Sequence, residues 1–94
     1  MFANGMNDLV VFVTVAREGN FTRAAARLGV SPSAVSQTMR GLEERLGVRL
    51  LTRTTRSVTR TEAGERLLNE IAPLLDQIEI HLNAVSDLRQ RPSG

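Results

Sequence analysis

The chain has no cysteine, tryptophan, tyrosine or lysine, and only three phenylalanines among its 94 residues. Without cysteine there can be no disulfide, thiolate metal site or cysteine nucleophile. Phe2, Phe12 and Phe21 are too few to line an aromatic pocket or to build a base-stacking platform for single strands. His81 is the single histidine, and only isolated acids such as Asp76 and Glu79 lie near it, so no metal-ligand set can be assembled. A glycine-rich phosphate loop and a nucleophile–base–acid set are also missing. No catalytic residue, metal or cofactor is therefore expected, and the chain reads as a non-enzyme. The apolar run Leu9–Val13 is too short to span a bilayer and follows Asp8 instead of a basic segment, which makes the cytoplasm the expected location.

What is present is arginine, unevenly placed. The net charge is only +2, but residues 17–60 carry nine arginines against Glu18, Glu43 and Glu44. Residues 61–94 carry three arginines against six acids. An excess made of arginine alone favours forked contacts with phosphate or guanine over diffuse point charges. A solvated surface fits an excess of this size as well, and the asymmetry gains meaning by coinciding with the motif that the same segment carries. At 94 residues the chain makes one small domain with an appended element, without room for a second ligand-binding domain.

Residues 1–6 carry no pattern and read as a frayed terminus. From Asn7, as a cap, Leu9, Phe12, Val13 and Ala16 fall at helical spacing up to Gly19, although the β-branched run also fits a strand. Thr22 reads as the cap of a short helix ending at Leu28, with Ala24, Ala25 and Leu28 facing inward. Gly29 supplies a tight turn, and Ser31-Pro32 opens a second helix that runs to Leu46 and stops at Gly47. This is helix-turn-helix spacing. Val48–Thr52 and Val58–Arg60 read as two short strands joined by a basic polar tip, Arg53–Ser57. From Thr61, a long helix extends to about Arg89, with Leu68, Ile71, Leu75, Ile78, Leu82 and Val85 in a heptad seam. Pro73 should kink it, and its length of about 43 Å exceeds what so small a core needs, which argues for a partner.

On the helix from Pro32, Ala34, Val35, Met39, Leu42 and Leu46 form the apolar face, while Ser33, Ser36, Gln37 and Arg40 share the other. Serine and glutamine near a helix start suit base edges, and Arg40, a turn deeper, suits phosphate. The tip, Arg53 to Arg56, could enter a minor groove, grip phosphate, or simply be solvated. Thr22 could cap its helix and also meet a phosphate. Glu43, Glu44, Glu62 and Glu65 read as solvated charges, and His81 as a half-buried residue flanking the seam.

Residues 12–64 resemble the N-terminal DNA-binding domain of LysR-type transcriptional regulators, and the likeness extends over about 7–90. It rests on Ala24-Ala25, Leu28, Ser31, Ser33, Ser36, Leu42-Glu43, Leu46-Gly47, Leu50, Arg53 and Thr61-Glu62-Ala63-Gly64. Arg60 stands where the family commonly has an apolar residue, and Leu51 where an aromatic is frequent. The resemblance implies a mainly α, winged helix-turn-helix fold with a two-stranded wing and a long C-terminal dimerisation helix. It implies Pro32, Ser33, Ser36 and Gln37 at base-reading positions, and Thr22, Arg40, Arg53, Thr54, Thr55 and Arg56 at backbone or wing contacts. The expected organisation is a DNA-binding domain at 1–60, a linker helix at 61–90 and the start of an interdomain linker at 91–94. A small-molecule effector domain would begin where the chain stops. The expected partners are double-stranded operator DNA, read as an interrupted palindrome, and a second copy of the chain paired through the seam. A tetramer is possible in the full-length protein. A helical protein-interaction module with an incidental basic face is the rival reading.

Overall fold

The computed structural model describes residues 2–54 and 57–90, and the side chains of 7–54 and 57–89. Four helices and one hairpin follow in the order α1 (Phe2–Glu18), α2 (Phe21–Leu28), α3 (Pro32–Leu46), β1 (Leu51–Arg53), β2 (Val58–Arg60) and α4 (Glu62–Gln90). The fold class is the expected one. Three boundaries differ from the sequence reading, and each difference has a physical cause.

The first concerns α1, which begins at Phe2 and not at Asn7. No proline lies between them, and extending an existing helix avoids the cost of nucleating one. Further along, Val11, Phe12, Val13, Val15 and Ala16 are all buried. That is more than one stripe, because α1 packs against α2, α3, β2 and α4. A helix surrounded in this way can be apolar almost all round, which explains the β-branched run that looked compatible with a strand.

The second concerns α2. Asn20, in extended conformation, accepts a hydrogen bond from the Arg23 backbone N–H at 2.9 Å. Asn20 is therefore the N-cap, and Thr22 sits inside the first turn. At the other end Gly29 adopts φ +71°, which a side chain would strain. Val30 N–H then donates to the Ala25 carbonyl and Gly29 N–H to that of Ala26, closing the helix and aiming the chain into α3. Helix α3 starts as expected, with the Ser31 hydroxyl accepting from Ala34 N–H at 3.1 Å and Pro32 at the first position. Its buried face is Val35, Met39 and Leu42, with Ala34 half-buried. Leu46, expected on that face, is exposed, because the helix ends there at Gly47 and has passed the edge of the core.

The third concerns the wing. Strand β1 is Leu51–Arg53, not Val48–Thr52, and pairs antiparallel with β2 as Leu51↔Arg60, Thr52↔Thr59 and Arg53↔Val58. The shift puts Arg53 in the strand. Side chains alternate along a strand, so Arg53 shares the inward face of buried Leu51 and does not belong to the tip. The wing joins the body through Val58 N–H, which donates to the Gly19 carbonyl at 3.1 Å.

Thr61 docks α4. Its hydroxyl accepts from Gly64 N–H at 3.0 Å and donates to the Arg49 carbonyl at 2.7 Å, while its own N–H donates to the Leu50 carbonyl. Leu68 and Ala72 are buried in the core, with Leu67, Ile71 and Leu75 packed against it. The helix continues through Pro73 in one piece. From Asp76 to Arg89 every residue is exposed. The heptad seam is thus divided. Of the residues expected at a dimer interface, Leu68 is buried in its own core and Ile71 and Leu75 are half-buried against it, whereas Ile78, Leu82 and Val85 are exposed.

Candidate nucleic-acid interface

The outward face of α3 follows from its inward one. With Val35, Met39 and Leu42 buried, helical periodicity turns Pro32, Ser33, Gln37 and Arg40 to the exposed side, with Ser36 half-buried at its margin. Four of the expected reading residues and one expected phosphate contact therefore share one surface. Thr22 is exposed at the second position of α2, where the first turn leaves backbone N–H groups without helical partners. In the wing, Thr54 closes the tip. Its N–H donates to the Ser57 carbonyl at 2.9 Å, and its hydroxyl accepts from Ser57 N–H at 3.0 Å. Thr55 and Arg56, expected at the tip, lie outside the described residues.

Charge separates the arginines into two groups. Five of those in 17–60 face a carboxylate: Arg17 with Asp76 at 3.4 Å, Arg27 with Glu18 at 3.3 Å, Arg49 with Glu43 at 3.8 Å, Arg60 with Glu65 at 3.0 Å, and Arg45 with Asp8. These pairs connect elements: Arg17 joins α1 to α4, Arg45 joins α3 to α1, and Arg60 joins β2 to α4. Arg60 thus has a partner in the first turn of α4, at the place where the resemblance implies an apolar residue. Among the described residues, Arg23, Arg40 and Arg53 face no carboxylate, and all three are exposed. A guanidinium without an internal counter-charge is free to neutralise an external anion. Arg40 and Arg53, with Arg49, also line one open groove between the end of α3 and β1, together with Glu43 and Glu44.

Two residues do more than the sequence suggested. The Glu43 carboxylate accepts from the backbone N–H groups of Leu50 at 2.7 Å and Leu51 at 3.1 Å, and its side chain is largely buried. It anchors β1 to α3 and is not a solvated charge. Arg53 stacks its guanidinium over the Phe21 ring, 4.6 Å from the centroid, and donates to the Ser36 hydroxyl at 2.9 Å. Arg23 was not singled out in sequence. Its only mark there is its place in the first turn of α2, which gains meaning once the other arginines are seen to be paired.

Among the described residues, no helix is long and apolar enough to cross a membrane. Residues 6–65 match the model of the family described as bacterial regulatory helix-turn-helix protein, lysR family. Over 94 residues the chain is 62% identical to a putative transcriptional regulator of Pseudomonas aeruginosa, covering all of this chain and 31% of that protein. Over 87 residues it is 60% identical to the HTH-type transcriptional regulator PgrR of Escherichia coli, covering 93% of this chain and 29% of that one. The chain thus spans less than a third of these curated relatives. A crystal structure of the BenM DNA-binding domain with catB site 1 DNA superimposes with a TM-score of 0.78 at 29% identity, covering 93% of this chain and 97% of that one.

Proposed function

The chain belongs to the lysR family of bacterial regulatory helix-turn-helix proteins, as a DNA-binding domain of a transcription regulator, and on that premise we propose how it reads its operator. Two copies bind an interrupted palindrome, each laying α3 in the major groove of one half-site. Pro32, Ser33, Ser36 and Gln37 meet base edges. Arg23, Arg40 and Arg53, with the first turn of α2 at Thr22, hold the phosphates. The wing tip, Thr54 to Arg56, lies at the adjacent minor groove. Residues 1–60 form the reading head, 61–90 the linker helix and 91–94 the start of an interdomain linker. Response to a small-molecule effector, assembly to a tetramer and action in the cytoplasm belong to the whole regulator.

The observation that carries this reading is the convergence on one surface. The exposed polar face of α3 carries Arg40 and lies beside Arg53, neither of which has a carboxylate partner among the described residues, while five other arginines pair with carboxylates of the same chain. The dimer is supported by α4, which exposes Leu74, Ile78, Leu82, Val85 and Leu88. These side chains have no cover among the described residues, and burying each one against a partner contributes about 1.5–3 kcal/mol.

Titration of the chain against random-sequence duplex at several salt concentrations tests the electrostatic part. Arg23, Arg40 and Arg53, the described arginines of 17–60 without a carboxylate partner, predict for two protomers a slope of log K against log salt of roughly −5 or steeper. Gln37→Ala should alter base preference and keep that slope, whereas Arg40→Ala should make it shallower. Binding that is absent, or insensitive to salt, would exclude this reading.

A further inference from the structure

We propose that Arg53 is a positioning residue for Ser36, fixing that hydroxyl as a hydrogen-bond donor toward a base edge. The inference rests on the DNA reading above and adds a specificity role to a residue otherwise assigned to phosphate. A serine hydroxyl has one proton and two lone pairs, so alone it can read a donor or an acceptor. Here the Arg53 guanidinium, which can only donate, occupies one lone pair at 2.9 Å. No hydrogen bond from the Ser36 hydroxyl to another described residue competes for its proton. The cation therefore polarises the hydroxyl outward and repels a second donor such as an exocyclic amine. An acceptor (a purine N7, guanine O6 or thymine O4) meets a free and strengthened donor.

Two features hold the guanidinium in this role. The strand register places Arg53 on the inward face with Leu51, so its side chain crosses toward α3 instead of leaving the wing. The Phe21 ring lies beneath the guanidinium, 4.6 Å away, which limits its reorientation. Gln37, one residue along, has an amide with both donor and acceptor and keeps the wider choice.

The test compares duplexes selected from a random library by the wild-type chain, Ser36→Ala and Arg53→Ala. Low salt offsets the sequence-independent affinity that the arginine variant loses. Both variants should flatten the same column of the selected motif, each by about fivefold to tenfold in discrimination. Replacing the acceptors of that column one at a time, with 7-deazapurine, 6-thioguanine or 4-thiothymine, should weaken the wild type at one atom and leave Ser36→Ala indifferent. The proposal is overturned if Arg53→Ala lowers affinity for all sequences with the Ser36 column intact, if Ser36→Ala changes no column, or if no acceptor replacement matters. Failure of the wild type to enrich any sequence would instead refute the DNA reading on which the proposal stands.

Discussion

At Gly64 two effects oppose each other. Alanine is the better helix former by about 1 kcal/mol, and an exposed glycine in α4 would be improved by the change. But a Cβ at Gly64 would overlap the Leu50 carbonyl, coming within 2.9 Å of its carbon, and that contact is backbone. Overpacking of this kind costs about 1–3 kcal/mol or more, and a main-chain neighbour cannot rotate away. We expect Gly64→Ala to destabilise the chain by about 2 kcal/mol in urea unfolding; a gain in stability would contradict the docking of α4 on Leu50. The Thr-Glu-Ala-Gly run was visible as a pattern, yet its reason lies in a contact with a residue fourteen positions earlier. Glu43 was illegible for the same cause. Its acidity reads as solvation until the chain after Gly47 turns back and brings two backbone donors to it. The polar face of α3 was legible at Ser33, Gln37 and Arg40, because it depends on helical period and one apolar stripe, while Ser36 lies half-buried at its margin.

The helix ends at Gly29 and Gly47 and the starts at Ser31 and Thr61 were legible because capping is local chemistry. The cap of α2 was misplaced by two residues, since Asn20 and Thr22 are both good candidates and the positive φ of Gly19 favours the earlier start. A shift of one residue at the end of β1 had a larger effect, moving Arg53 from the tip to the face toward the body. The seam of α4 shows what periodicity leaves open: it marks which residues are buried together, and not whether the cover is the same chain or a second one. Leu68 is covered by its own chain, and Ile71 and Leu75 are partly covered by it. Ile78 and Leu82, 44% and 65% exposed, are not. Substituting both by aspartate should leave thermal unfolding of the body nearly unchanged and convert the dimer to monomer in sedimentation. A variant that keeps the mass of the wild type would contradict the proposed pairing through this stripe.

At the scale of the molecule the chain measures 56 × 24 × 21 Å with a radius of gyration of 15.4 Å. A compact domain of this length has a radius near 13 Å. The excess comes from the C-terminal half of α4, which stands beyond the body formed by the other elements. Two such helices paired along their exposed stripes would hold two reading heads apart by a fixed distance. Their separation would then set the spacing of the half-sites, with successive major grooves of one face about 34 Å apart. Selection of duplexes from a random library by the wild-type chain measures this directly. The account predicts two half-sites in inverted orientation, separated by a constant spacing close to whole turns of DNA. A single unrepeated half-site, or two at variable spacing, would contradict it.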